Sequence, residues 1–358
     1  MRLTRRSLVT GAGAALAAPY VTRTHAAVDE AAAGSMLMLG FAGSAPDAPG
    51  AQALARHVAA GRVGGVCFLG YNARSRAGVE GLTALFNGAG PTLVAIDQEG
   101  GAVQRLGPKL GYAAVAQAAR VAADHDAAGA QRIYAAMARD LKAAGFNLNL
   151  APVVDLGFEP RNPIVAHWGR AFGADGATVA RYGGACVAGH RAAGVLTALK
   201  HFPGHGSTLT DSHARPVDLT ATWRADEIEP YRLLAARDAI DIVMSGHLSH
   251  ATLTNGEPAT LSRRAITGWL RGELGYRGVV MTDDLDMAAI RSSYSLDEAI
   301  VRAIAAGNDL VLLSNSASPD PDLPRAAIVA IRQAVADGRI PAARIEQSAA
   351  RLAALRVG

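Results

Sequence analysis

The sequence predicts an α/β fold, a (β/α)8 TIM barrel forming a single domain, and three observations predict it. Eight short apolar runs alternate with segments of helical spacing. The runs are apolar throughout rather than at every second position, as strands covered on both faces are. The polar residues that stand out gather just past the runs, where parallel α/β folds place their chemistry. Parallel strands need crossovers, so eight strand–helix units close naturally into a barrel; an open doubly wound sheet is the alternative. Length alone leaves the choice open, since 358 residues accommodate either one barrel or two average domains. No Ser/Pro-rich linker, low-complexity block or internal repeat cuts the chain. Half the residues are hydrophobic and only 5% aromatic, and alanine and glycine are abundant, which suits helices packed closely on a sheet.

The first residues have a different character. Thr4-Arg5-Arg6-Ser7-Leu8 precedes a small apolar run from Val9 to Ala18, then Thr24-His25-Ala26-Ala27 with small residues suited to cleavage. This reads as a twin-arginine export signal over residues 1–26, leaving residues 27–358 as the barrel domain. The expected location is periplasmic or secreted, with the twin-arginine export machinery as a partner. The apolar run is too short to span a bilayer of about 30 Å, so no stable membrane anchor is expected after removal of the signal. An ordinary amphipathic first helix is the competing reading, weakened by Gly11, Gly13 and Pro19.

The net charge of +4 also originates there. Arg2, Arg5, Arg6 and Arg23 lie among the first 26 residues, which hold no acid; setting those aside leaves as many basic residues as the 31 acidic ones. The rest of the chain is neutral, and no nucleic-acid partner is expected. Cys67 lies in an apparent strand and Cys186 in a helical pattern, so both are expected as buried thiols.

In chain order, the candidate strands are Met36 to Phe41, Gly65 to Leu69, Thr92 to Ile96, Phe146 to Val154, Val195 to Leu199, Ile240 to Ser245, Gly278 to Thr282 and Leu310 to Leu313. Helical spacing is clearest over Ala127 to Ala144, Thr178 to Ala193 and Ala225 to Ala239. The segment from Pro324 to Leu355 reads as two helices closing the outer layer.

The third run leads into Asp97-Gln98-Glu99-Gly100-Gly101 and then Gln104-Arg105. Past the fourth come Asp155, Asn162-Pro163 and Arg170; past the fifth comes Lys200-His201-Phe202-Pro203-Gly204-His205-Gly206 with Asp211-Ser212-His213. The sixth ends in Ser245-Gly246-His247 and the seventh in Asp283-Asp284-Leu285-Asp286. A lysine, three histidines and an aspartate so close to a buried strand are costly unless a ligand uses them.

Three chemistries fit such a rim to different degrees. A zinc site would draw on His201, His205 and His213, but their spacing is that of a loop and no paired-histidine helix motif accompanies it. A serine hydrolase wants a G-x-S-x-G elbow, which Ser207 and Ser212 lack. Glycosyl transfer needs a carboxylate nucleophile and an acid for the leaving oxygen. Asp283 fits the first role, although Asp283 or Asp284 would equally cap a helix beginning near Met287. His213 fits the second, with Asp211 orienting the imidazole and supporting its charge.

Four strings carry a family resemblance: Ala95 to Gly101, Asn149-Leu150-Ala151-Pro152-Val153-Val154-Asp155, Lys200 to Gly206 with Asp211-Ser212-His213, and Met281 to Met287. Together they resemble glycoside hydrolase family 3, specifically its single-domain β-N-acetylglucosaminidases of the NagZ type, from about Gly34 to the end of the chain. The resemblance implies a (β/α)8 barrel, no metal or other cofactor, and a retaining mechanism through a covalent glycosyl-aspartate. It makes Asp283 the nucleophile and the Asp211–His213 pair the acid/base. It places Asp97, Arg105, Arg170, Lys200 and His201 around the hydroxyls of a nonreducing-end sugar, where charge-assisted hydrogen bonds position the anomeric carbon. The implied activity is that of an exo-β-N-acetylglucosaminidase acting on peptidoglycan fragments. A glycoside phosphorylase of the same family and a β-glucosidase-like exo-glycosidase are the alternatives.

The sequence departs from the family pattern in places. Ser207 stands where an aspartate is usual and Ala102 where an arginine is common. The loop from Asn162 to Arg170 is longer than the usual form and presents Trp168, either as a sugar-stacking face or as loop packing.

Overall fold

The apolar runs form eight parallel strands: β1 (Leu37–Leu39), β2 (Gly65–Phe68), β3 (Leu93–Ile96), β4 (Leu148–Asn149), β5 (Leu196–Phe202), β6 (Ile242–Ser245), β7 (Val279–Thr282) and β8 (Val311–Leu313). Each pairs with its sequence neighbour, β1 also pairs with β8, and a parallel bridge from Met281 to Leu310 joins β8 to β7. The eight strands therefore come round nearly to closure, as the α/β reading predicts. The structure is a computed structural model describing residues 28–212 and 214–355. The expected export signal lies outside the described residues, and so does His213.

Helices cover the outside: α1 (Pro49–Ala59), α2 (Arg76–Ala89), α3 (Ala127–Ala143), α4 (Gly176–Arg191), α5 (Glu229–Ala235), a π-helical segment Arg264–Glu273, α6 (Leu296–Ala306), α7 (Leu323–Ala336) and α8 (Ala342–Leu355). Their starts are set by short polar side chains. Ser75, Asp126, Asp175 and Ser295 accept hydrogen bonds from Gly78, Gly129, Thr178 and Glu298 nitrogens, and each such cap stabilises its helix by about 1 kcal/mol. At the other end of α4, Gly194 turns the chain into β5 at φ +68°, a conformation that favours glycine.

The core lies between strands and helices. Phe41, Phe68, Phe86 and Phe146 meet edge to face with ring centroids 4.9 to 6.1 Å apart. Each is essentially fully buried, which stabilises the fold by about 2–3 kcal/mol per side chain. Cys67 and Cys186 are free buried thiols, as expected. The outer layer is tied on by Asp309, whose buried carboxylate receives Arg271 at 2.6 Å, Arg344 and Arg351 at 3.0 Å, Ser348 at 2.8 Å and the Val280 nitrogen at 3.0 Å. Burial opposes its ionisation, but the guanidinium charges outweigh burial and lower its pKa.

Four sequence expectations need correcting. The fourth run supplies only two strand residues with a single further bridge at Val153, because Pro152 has no N–H to give a neighbour. Conversely β5 does not stop at Leu199 but carries Lys200 and His201 within it. The segment Ala225 to Ala239 divides into a tighter turn, Ala225–Ile228, and α5, with Pro230 at the start of the latter. The short helix after β7, Ala288–Arg291, begins behind Met287, so neither Asp283 nor Asp284 caps it.

Candidate active site

The carboxyl ends of the strands gather the polar residues. Asp97 follows β3 directly, Lys200 and His201 are the penultimate part of β5, and Asp283 follows β7, where its nitrogen donates to the β6 carbonyl of Ser245 at 2.9 Å. Arg105 follows the small antiparallel pair Gln98–Gly100 and Val103–Gln104 that tops β3. Asp97, Asp284, Lys200 and Arg105 all act electrostatically on the one buried thiol of Cys67 in β2, which places residues from three separate strand ends around a common centre.

Lys200 organises the floor of this region. Its side chain is 4% exposed, and Nζ lies 2.7 Å from Asp97 Oδ1 and 2.8 Å from Glu99 Oε1. Glu99 in turn takes a forked pair from Arg170, Nε to Oε2 and Nη2 to Oε1, each at 2.8 Å. The third arm of the guanidinium, Nη1, donates to the Ile164 carbonyl at 3.0 Å. Burial alone would raise the Glu99 carboxyl, but the charges and hydrogen bonds of Arg170 and Lys200 hold it far below the usual carboxylate range. Lys200 likewise stays charged: burial works against it and the two carboxylates more than compensate. The result is a chain of alternating charge, Asp97, Lys200, Glu99, Arg170, anchored in the fold at one end and half-exposed at Asp97. Arg170 meets the site through Glu99.

His201 is set by a second buried acid. Asp155 Oδ2 lies 2.7 Å from His201 Nδ1, while its Oδ1 accepts the backbone nitrogens of His201 at 3.0 Å and His205 at 2.8 Å. Burial pushes the Asp155 carboxyl up, and the imidazole and these hydrogen bonds bring it below its ordinary value. The carboxylate there accepts from His201 Nδ1 and so fixes the orientation of the ring.

The loop after β5 is tied down at several points. Asn162 donates to the carbonyls of His205 and Gly206 at 2.8 and 2.9 Å, and Glu227 accepts from the Gly206 nitrogen at 2.7 Å. His205 is wholly buried and its Nε2 lies 3.0 Å from Ser212 Oγ, next to Asp211. Burial and the neighbouring His201 lower the His205 pKa to about 3, so it is neutral and acts as a tie within the loop.

The three acids after β7 diverge in use. Asp284 Oδ1 accepts from the nitrogens of Asp286 at 3.0 Å and Ser314 at 2.8 Å, and Asp286 accepts from the Asn315 nitrogen at 2.9 Å. They knit the loop to the end of β8. Asp283 is half-buried, and its Oδ1 accepts from the Asp284 nitrogen at 2.8 Å.

Sequence reasoning assigned no role to Glu99, Asp155, Gln98 or Asn149. The signal was present, since all four lie in the strings quoted for the family, but their partners are far away in the chain: Glu99 meets Arg170 at a separation of 71 residues.

A parallel barrel with charged side chains converging at the carboxyl ends of its strands defines a TIM-barrel enzyme whose site opens on that face. More narrowly, the chain belongs to glycosyl hydrolase family 3: the family's N-terminal domain matches residues 33–355. It is 37% identical over 289 residues to a beta-hexosaminidase of Stenotrophomonas maltophilia, covering 78% of this chain and 83% of that one. Among solved structures, it is similar to a family 3 beta-N-acetylglucosaminidase of a Paenibacillus species (35% identity, TM-score 0.81). That match covers 92% of this chain but only 62% of the Paenibacillus one. It is also similar to a beta-N-acetylhexosaminidase of Beutenbergia cavernae (32% identity, TM-score 0.79, 92% and 98% of the two chains).

Proposed function

We propose that the protein is a retaining exo-β-N-acetylglucosaminidase that removes nonreducing-end N-acetylglucosamine from peptidoglycan fragments. The observation that carries this reading is the position of Asp283 after β7, on the rim that also holds the Asp97–Lys200 pair, 2.7 Å apart, with Lys200 buried and Asp97 partly exposed. The hexosaminidase relatives and the family membership support it. Asp97, Lys200, Arg105 and His201 hold the ring hydroxyls, with Arg170 and Glu99 keeping Lys200 in register. The Asp283 carboxylate attacks the anomeric carbon as the bond to the leaving oxygen breaks and that oxygen takes a proton from His213. His213, oriented by Asp211, then removes a proton from water, which displaces Asp283 and frees the sugar. The arginine pair at the N-terminus sends the enzyme across the inner membrane to wall fragments outside it.

The test is a panel of β-glycosides, including p-nitrophenyl β-N-acetylglucosaminide, the β-glucoside and N-acetylglucosaminyl-anhydromuramic fragments, each with and without phosphate. The expected result is release of free N-acetylglucosamine, insensitive to phosphate, and a fall of about 10³-fold or more for Asp283→Ala. Wild-type rates in that variant, or formation of a sugar 1-phosphate, overturn the reading. Cell fractionation of the full chain against an Arg5→Lys, Arg6→Lys variant tests export, with loss of the periplasmic fraction expected for the variant.

A further inference from the structure

A buried polar network lies behind the end of β7. Its members are Asn308 from the turn between α6 and β8, Ser245 at the end of β6, His247 just past it, and Thr260 in the short turn Ala259–Leu261; all four are wholly or almost wholly buried. Asn308 Nδ2 donates to the Thr260 carbonyl at 2.8 Å, and Ser245 Oγ donates to Asn308 Oδ1 at 3.0 Å. Thr260 Oγ1 lies 2.9 Å from the Gly246 carbonyl and 3.0 Å from His247 Nδ1. The other ring nitrogen of His247, Nε2, lies 2.8 Å from the carbonyl of Asp284. A carbonyl only accepts, so the imidazole donates there.

The backbone that His247 reaches adjoins Asp283. The Asp283 nitrogen donates to the Ser245 carbonyl at 2.9 Å, and the Asp284 nitrogen donates to Asp283 Oδ1 at 2.8 Å. Two anchors of this segment, the Ser245 carbonyl and the His247 imidazole, therefore come from the single turn Ser245-Gly246-His247. Between them sits the nitrogen that meets the Asp283 carboxylate. The turn is itself wedged against the floor of the site, since a methyl group at Gly246 would come within 3.1 Å of His201 Cβ. Burying this many polar groups is costly unless each is satisfied, and a satisfied network rigidifies what it touches.

We propose that His247 is a positioning residue for the nucleophile: by gripping the Asp284 carbonyl it fixes Asp284, whose nitrogen holds Asp283 Oδ1, and so sets the aim of the Asp283 carboxylate. This rests on the reading of Asp283 as the nucleophile of a retaining N-acetylglucosaminidase. Attack on an anomeric carbon depends steeply on alignment, and a displacement of about 1 Å costs about 10²-fold. Losing the imidazole frees one end of the segment while Asp97, Lys200 and His201, on β3 and β5, stay in place. The loss therefore falls on the chemical step and spares binding of the sugar.

The test follows trapping of the full-length enzyme by 5-fluoro-N-acetylglucosaminyl fluoride. The Asp283 oxygen bonds to the anomeric carbon as the carbon–fluorine bond breaks, and fluoride leaves without needing a proton, so the rate reports the attack alone. His247→Phe is expected to slow trapping about thirtyfold, with the inhibition constant of free N-acetylglucosamine within about threefold of the wild type. His247→Gln, whose amide still donates to the Asp284 carbonyl, recovers most of the rate. Thr83→Val removes a buried hydrogen bond to the Ala144 carbonyl, remote in the fold, and is expected to lower the thermal midpoint while trapping at the wild-type rate. Wild-type trapping in His247→Phe, or a loss matched by an equal loss of sugar binding, overturns the proposal. If His247→Phe does not fold, Thr260→Val, which removes the partner of Nδ1, decides in its place, with a loss of about fivefold expected and a wild-type rate overturning it. A second measurement compares, by calorimetry, the affinity for 2-acetamido-1,2-dideoxynojirimycin, whose ring nitrogen is cationic, with that for neutral N-acetylglucosamine. The preference for the cation is expected to fall about tenfold in His247→Phe. If the wild type is neither trapped nor active, the parent reading fails and this ratio alone decides: an unchanged ratio, or a wild type that binds neither sugar, overturns the positioning role.

Discussion

Asn149 grips the Gln98 peptide from both sides, its Oδ1 accepting the Gln98 nitrogen at 3.0 Å and its Nδ2 donating to the Gln98 carbonyl at 2.8 Å. Gln98 lies between Asp97 and Glu99, so one buried amide on β4 sets the aim of both acids that flank Lys200. The Gln98 side chain extends the hold to the next loop by accepting from the nitrogens of Arg105 and Leu106 at 2.8 and 3.0 Å. Asn149→Ala is therefore expected to lower kcat/KM on p-nitrophenyl β-N-acetylglucosaminide by about 10²-fold, with the loss appearing mainly as weaker sugar binding. Inhibition by free N-acetylglucosamine checks this, and an inhibition constant equal to the wild type's contradicts the positioning role.

Glu99 should matter as much for folding as for activity. Glu99→Gln leaves Arg170 buried without its carboxylate and Lys200 with Asp97 alone, which costs about 3–5 kcal/mol. Because the folded pKa is depressed, the Glu99 contribution is complete above the unfolded carboxylate range and is lost only as pH falls through its much lower folded value. Asp155 and Asp309 are shifted in the same direction. Urea unfolding as a function of pH is expected to show wild type and Glu99→Gln separated throughout the neutral range, and to converge only in strong acid.

Glu227 has the opposite sign. Burial, reinforced by the Asp155 charge, pushes its carboxyl up to about 7, against an unfolded value near 4.3. Ionisation is thus disfavoured in the folded state, and stability is lost as pH rises from the unfolded value through about 7. Glu227→Gln keeps an acceptor for the Gly206 nitrogen and removes the titration. It is expected to match the wild type at pH 4 and to exceed it by about 3 kcal/mol at pH 8. Thermal denaturation at both values decides the point, and a gain of equal size at the two refutes it.

The barrel was legible because its strands are buried on both faces and therefore read as unbroken apolar runs. What lay at their ends was less so. Pro152 sits inside a run that looks like continuous strand and ends its pairing, whereas Lys200 and His201 look like loop yet remain in β5 because Asp97 and Glu99 neutralise Lys200 and Asp155 hydrogen-bonds His201 there. Asp97 and Asp283 stand directly after strands, where the sequence alone singles them out as candidates. The network that holds Asp97 was not, because the Glu99–Arg170 and Asn149–Gln98 contacts join distant segments and leave no local spacing to read.

The adjacent aspartates after β7 offer the sharpest separation of chemistry from structure. Asp284 is bound by two backbone nitrogens across the β7 and β8 ends, and burial raises its carboxyl to about 6. Asp284→Ala leaves those nitrogens without their acceptor, a loss of about 2–3 kcal/mol, while the retained fraction of folded enzyme turns over within about tenfold of the wild type. Asp283→Ala removes one acceptor for the neighbouring Asp284 nitrogen, a smaller stability cost of about 1 kcal/mol, but takes away the proposed nucleophile. Thermal midpoint and turnover measured together should move in opposite proportion in the two variants. If Asp284→Ala is the catalytically dead one at full stability, the nucleophile is the wrong one of the pair.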